Sequence, residues 1–224
     1  MSNQRNVFLV EPRPSDSRWR GDDAPTPLNP PDVRVAKDSP VIHTLGSFQE
    51  LSAALGMARA ALAATELDDH NRILKQTQRD LYVIKADLAS ATDDEVIEGI
   101  HIPRPDESML RAVDERVAEL EARLGAKPDR FVLEGGSPAA AALYFANEVT
   151  RRVERLCVGL KDAPGIAGTR LQPKMVFCQQ YLNHLSYVLY LMARVTNRRL
   201  GVAEESLKTD PVTGEVTVDT EPLP

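Results

Sequence analysis

The sequence predicts an all-α fold, a bundle of five helices joined by short loops. Three observations carry this. Apolar residues recur every three to four positions through five separate stretches between about residues 47 and 200. Capping or breaking residues bound those stretches. Between them there is no convincing core strand, so the helices must bury their apolar stripes against one another in an antiparallel-type bundle.

The first helix is expected from 47 to about 65. Ser47 with Glu50 three residues on makes a capping-box signal, and Phe48, Leu51, Leu55, Ala58 and Leu62 follow at helical spacing. The second is expected from about 68 to 91, with Ile73, Leu74, Leu81, Ile84 and Leu88 as its apolar set. An acidic stretch, 93–98, and His101-Ile-Pro-Arg-Pro then form a loop, because two closely spaced prolines block a helix. The third helix, about 106–124, turns Met109, Leu110, Val113, Val117, Leu120 and Leu124 inward and stops at Gly125. The fourth opens with Ser137 as N-cap and Pro138 as first helical residue and runs to about Lys161. After a glycine-bearing loop, 164–169, the longest helix follows from Pro173 to just before Gly201. Its Met175, Cys178, Leu182, Leu185, Leu189, Met192 and Thr196 form a coiled-coil-like seam.

Three domains of character follow: a proline-rich N-terminal segment over 1–40, a bundle over 41–202, and an acidic flexible tail over 203–224. The first holds seven of the sixteen prolines, leaving only 6–10 able to form a short extended piece. In the tail, 215–220 is the only strand-like piece, expected to be mobile unless docked on a neighbour.

A net charge of -6 argues against nucleic acid as a main partner, since broad phosphate binding needs a basic patch. No apolar run reaches membrane-spanning length or resembles a signal peptide. Cys157 and Cys178 fall within predicted helices as ordinary core thiols, which fits a reducing cytoplasm. His43, His70, His101 and His184 have no ligand-like spacing, so no metal site is expected.

The fourth helix carries the most suggestive chemistry. Steps of three and four put Asn147, Arg151, Glu154, Arg155 and Val158 on one face, and Ala142, Phe145, Ala146, Val149, Val153, Leu156 and Leu160 on the other, taken as core. Two guanidinium groups and a carboxylate in one patch could hold a polyphosphate. On pattern alone, a solvated face with local ion pairs is the commoner meaning of such residues.

Five segments sharpen the choice: Arg34-Val-Ala-Lys37-Asp38; Gln78-Arg-Asp-Leu-Tyr82 with Ala86-Asp-Leu-Ala89; Phe131-Val-Leu-Glu-Gly-Gly; Thr150-Arg-Arg-Val-Glu-Arg155; and Tyr181-Leu-Asn-His-Leu-Ser186. In this order and spacing the chain resembles the ATP:cob(I)alamin adenosyltransferases of the PduO type. The resemblance implies a five-helix bundle assembled as a homotrimer, with sites between subunits. It implies attack of a cobalt(I) corrinoid on the 5′ carbon of ATP, supplied with Mg, and release of triphosphate. By resemblance Arg151, Glu154 and Asn183 are the catalytic candidates. Lys37, Arg155, Phe131 and Asn147 are the cofactor-binding ones, Phe131 closing the corrinoid's lower face. On its own residue type Phe131 could be core, and Asn183 a buried hydrogen-bonding residue.

The chain also departs from the pattern. The family's Thr-Lys-x-Gly-Asp-x-Gly-x-Thr phosphate loop has no counterpart before Val33. A family aspartate is Gln49 and its arginine partner Asn147, so one inter-subunit ion pair has become two neutral amides. On the fifth helix an arginine is His184 and an aspartate Tyr187, and a proline before the double glycine is Glu134. Three readings therefore stand: a working adenosyltransferase; a catalytically degenerate binder of a corrinoid or other flat cofactor, with His184 and Tyr187 as added ligands; and a structural or regulatory trimer.

Overall fold

The computed structural model describes residues 25–28, 30, 33–90, 96–97, 99–125 and 131–221. The expected extended piece at 6–10 lies outside them. Five helices form the frame: α1 (Pro40–Leu62), α2 (Asp68–Leu88), α3 (Glu107–Leu124), α4 (Pro138–Lys161) and α5 (Leu171–Arg199). Around them run short strands: β1 (Thr26–Pro27) with β2 (Arg34–Val35), β3 (Val96–Ile97) with β4 (Ile100–His101), and a three-stranded antiparallel sheet of β5 (Phe131–Val132), β6 (Glu204–Thr209) and β7 (Val216–Glu221).

Helix ends follow their caps. Ser137 Oγ accepts from the Ala140 N–H at 3.2 Å with Pro138 behind it, and Asp106 accepts from Ser108 N at 2.7 Å. Gly125 ends α3 in the left-handed region, φ 77°, where a side chain would be strained. Helix α1 starts seven residues before the expected Ser47. Ser39 is its N-cap, its Oγ accepting from Ile42 N, and Pro40 occupies the first turn, where the missing N–H costs nothing. Ser47 and Glu50 are then mid-helix, and Glu50 instead meets Arg152 of α4 at 2.5 Å.

The core is continuous. Helix α5 sits against α3 and α4, α4 against α1, and α1 against α2. Leu51, Leu55, Leu74, Leu81, Leu143, Val153, Tyr181 and Leu189 are among its buried side chains. Cys157 and Cys178 are buried free thiols, and contact with Cys157 together with burial pushes the Cys178 thiol well up, keeping it protonated. On α4 the inward stripe is Ala139, Leu143, Ala146, Thr150, Val153, Cys157 and Leu160. Phe145, expected inside, is 53% exposed, Leu156 is exposed too, and Asn147, expected on the polar face, is buried. The stripe follows the helix's angular position, not the size of its apolar residues.

The segment after α5 also differs from expectation. Residues 204–221 form the β6–β7 hairpin, with Phe131 opposite Leu207 opposite Val218, and Val132 opposite Ser206 opposite Asp219. Polar composition hid β6, because what holds it is pairing to β5, a partner some seventy residues earlier.

Candidate functional site

A cavity of about 900 Å³ opens where α3, β5, α4 and α5 meet. Helix α3 supplies Asp114 and Val117, the β5 segment Phe131, Val132 and Glu134, and α4 Asn147, Glu148 and Arg151. The α5 wall is Asn183, His184, Ser186, Tyr187 and Tyr190. Apolar and aromatic walls with a few polar groups are the usual makeup of a small-molecule site.

The double glycine sets one edge of this cavity. Gly136 has φ 90°, and a Cβ there would sit 2.5 Å from Nδ2 of Asn197. Asn197, buried on α5, accepts from Ser137 N at 2.9 Å and Ser137 Oγ at 3.0 Å and donates to the Gly135 carbonyl at 3.1 Å. Only a residue without a side chain lets the loop lie this close to α5. That contact holds Glu134 at the cavity edge and fixes the start of α4.

On α4, Asn147 Nδ2 donates to Glu148 Oε1 at 3.4 Å, and Arg151 Nε lies 3.7 Å from the same oxygen. The Asn147 side-chain oxygen is buried with no hydrogen-bond partner among the described residues. Across the cavity, His184 Nδ1 is paired with Asp114 of α3. A carboxylate on one ring nitrogen fixes the imidazole's orientation. Tyr187 donates to Glu121 Oε1 at 2.8 Å and stacks on Tyr190 with ring centres 6.3 Å apart. Burial and the Glu121 carboxylate push the Tyr187 hydroxyl up to about 12, so it remains a donor at neutral pH.

Phe131 is 83% exposed, which excludes the core role open to it from sequence. Its ring shares a sheet face with Leu133, Leu207, Val216 and Val218, since opposite residues of an antiparallel pair point the same way. Those four side chains are all exposed or half-buried, so Phe131, which lines the cavity, joins an exposed apolar cluster on a face that also carries Glu205 and Thr220.

Of the residues singled out from sequence, the cavity brings together Phe131, Asn147, Arg151 and Asn183, with His184, Tyr187 and Glu134. Lys37, Glu154 and Arg155 do not line it. Lys37 is exposed in the turn before α1, Glu154 is half-buried and Arg155 exposed on α4. Gln49 is exposed on α1, and no hydrogen bond joins it to Asn147 within the chain. Sequence reasoning missed Asp114, Glu121, Glu148, Tyr190 and Asn197. Only the double glycine signalled a close approach, and only the Tyr187/Tyr190 spacing an aromatic pair. With Asp114, Glu134 and Glu148 against Arg151, the cavity is acidic. That balance opposes a polyphosphate inside it.

The family model described as cobalamin adenosyltransferase matches residues 18–196. A corrinoid adenosyltransferase of Bacillus subtilis is 32% identical over 178 residues, 76% of this chain and 81% of that one. The corrinoid adenosyltransferase PduO of Citrobacter freundii is 31% identical over 72% of this chain, which spans only 44% of that longer protein. Among solved structures, a variant PduO-type ATP:corrinoid adenosyltransferase of Lactobacillus reuteri, complexed with cobalamin and ATP, superposes with a TM-score of 0.69. The two are 22% identical, with 85% of this chain and 97% of that chain covered. The chain belongs to the cobalamin adenosyltransferase family.

Proposed function

We propose that this protein transfers the adenosyl group of ATP to cob(I)alamin, with the corrinoid lying in the cavity against Phe131. The observation that carries the reading is that Phe131, an aromatic side chain left in solvent, faces the same cavity as Asn147, Arg151 and Asn183, from three different elements. An exposed aromatic side chain that lines a cavity and joins an apolar cluster marks a surface for a ligand or partner to cover.

In the reaction the cobalt(I) electron pair attacks C5′ of ATP, the C5′–O bond breaks, and triphosphate leaves with that bond's electrons. Arg151 and Asn183 line the cavity where the reacting carbon would be held, and Glu154 is one turn further along α4. The developing charge on the leaving group needs cations. Arg155 and Lys37, with Mg carried on ATP, are the groups we assign to it. Both side chains are exposed and away from the cavity wall, which supports a phosphate half completed between subunits of a homotrimer. Phe131 and the apolar face of the sheet would exclude water and the corrinoid's own lower base. The two buried free thiols support a reducing, cytoplasmic setting for the protein.

The excess of carboxylates favours one alternative, a family member that holds the corrinoid without transferring the adenosyl group. Calorimetric titration with magnesium ATP, repeated with cob(II)alamin and followed by its visible spectrum, separates the two. Saturable ATP binding with a spectral shift toward four-coordinate cobalt supports transfer, and Arg151→Ala should then abolish turnover with the fold intact. A corrinoid shift with no ATP binding leaves the binder, and neither signal sinks both. Sedimentation equilibrium tests the trimer.

A further inference from the structure

The β6–β7 hairpin is attached to the bundle in an unusual way. No hydrophobic side chain after α5 belongs to the core among the described residues. The face the sheet turns inward carries Val132, Glu204 and Ser206 as its buried side chains. Of these, Glu204 reaches furthest. Its carboxylate accepts from Arg194 Nε of α5 at 2.9 Å and lies 3.4 Å from the Tyr144 hydroxyl of α4, and its side chain is 5% exposed. Arg194 in turn lies 6.0 Å from the centre of the Tyr190 ring, which lines the cavity.

Strand β5 has only two residues, and Phe131 contributes little packing of its own because its ring is exposed. What fixes the Phe131 backbone is therefore Val132 beneath it and the pairing to β6, including the Leu133 N–H donated to the Glu205 carbonyl at 2.8 Å. If β6 lifts, that edge of the cavity loses its register. We infer that Glu204 is a positioning residue for the corrinoid site: held by Arg194 and Tyr144, it clamps β6 to the bundle and so sets where Phe131 stands. This rests on the reading that the corrinoid meets Phe131.

Burial explains why the clamp is tight. Tyr144 is pushed up by burial first and by the Glu204 charge second, so its hydroxyl keeps the proton it shares with the carboxylate. Removing the carboxylate alone leaves the Arg194 charge buried without its partner, whereas a glutamine retains an acceptor for Arg194 and a group for Tyr144.

The test uses Glu204→Ala and Glu204→Gln in the full chain, read two ways. Amide hydrogen exchange without ligand is expected to speed up about tenfold or more at Leu133 and through β6–β7 in Glu204→Ala, with the centres of α4 and α5 unchanged. With magnesium ATP and cob(II)alamin, the four-coordinate signal per folded molecule should fall about tenfold, ATP affinity should stay within about twofold, and Glu204→Gln should restore the signal. Unchanged exchange at Leu133 in Glu204→Ala overturns the inference. So does a lowered melting temperature with the signal per folded molecule unaltered, which marks a purely structural ion pair. A parent protein that gives no corrinoid signal defeats the functional reading, and the exchange result then decides the clamp alone.

Discussion

Replacing Gly136 by alanine should unfold this protein far more readily than the same change one residue earlier. Gly136 sits at φ 90°, and an alanine forced into left-handed backbone costs about 1–2 kcal/mol. Its Cβ would also lie 2.5, 2.6 and 2.7 Å from the Nδ2, Oδ1 and Cγ atoms of Asn197, so that side chain must move. Moving it breaks hydrogen bonds to Ser137 N, Ser137 Oγ and the Gly135 carbonyl, worth about 1 kcal/mol each. The expected loss is about 4 kcal/mol, allowing for partial recovery by water. At Gly135 nothing lies within 4 Å of the place a Cβ would occupy and the backbone is not left-handed, so Gly135→Ala should stay within about 0.5 kcal/mol. Urea unfolding at fixed protein concentration reads the difference. With a slope of about 2 kcal/mol/M, Gly136→Ala should move the midpoint by about 2 M. A loss under about 1 kcal/mol at Gly136, or equal losses at the two glycines, would refute the close-approach argument.

Other expectations are independent of this one. His70 is fully buried on α2 with Nδ1 3.0 Å from Thr196 Oγ1 and Nε2 without a hydrogen-bond partner among the described residues, and burial lowers it from 6.5 to about 4. It folds neutral, so its contribution is complete above about pH 6.5 and drains as pH falls toward 4. The loss reaches about 3 kcal/mol, and a His70→Gln variant should flatten that part of a stability-against-pH curve. Phe131→Ala should leave urea stability within about 0.5 kcal/mol, because the ring is exposed, while weakening the cob(II)alamin signal; a large stability loss would show a packing role instead. Tyr181→Phe removes the 2.9 Å hydrogen bond to Asp80 on α2. The carboxylate keeps Gln76 Nε2 at 2.8 Å, so the cost should be about 1–3 kcal/mol by urea denaturation, and a neutral result would mean that water replaces the hydroxyl.

Where a residue type has one local meaning, the sequence could be read. Asp106 and Ser137 mark helix starts through their side-chain caps, Pro138 and Gly125 act through their backbone, and α3 and α4 begin and end within a residue of expectation. At α1 the Ser47 and Glu50 pattern imitates a capping box inside a helix that Ser39 and Pro40 already open. Phe145 and Asn147 exchange environments because the buried stripe of α4 runs through Leu143, Ala146, Asn147, Thr150 and Val153, rotated round the helix from the set that spacing alone suggests. The cavity was partly legible. Family resemblance singled out Phe131, Asn147, Arg151 and Asn183, which the fold gathers, but not Asp114, whose partner His184 lies 70 residues away. Pairings across that span, like β6 on β5, depend on tertiary geometry that local propensity does not encode.

The central helix has a consequence for how the protein is made. Helix α5 carries fifteen buried residues and is the main partner of both α3 and α4, yet of the five helices it leaves the ribosome last. At about 5–20 residues per second, the stretch from the end of α4 to the end of α5 takes several seconds to emerge. Until then Val113, Leu120, Leu143 and Val153 have lost neither their apolar surface nor their risk of meeting another nascent chain. Synthesis in cells short of chaperones should therefore lose this protein to aggregates before its fold can close, however stable the finished bundle is.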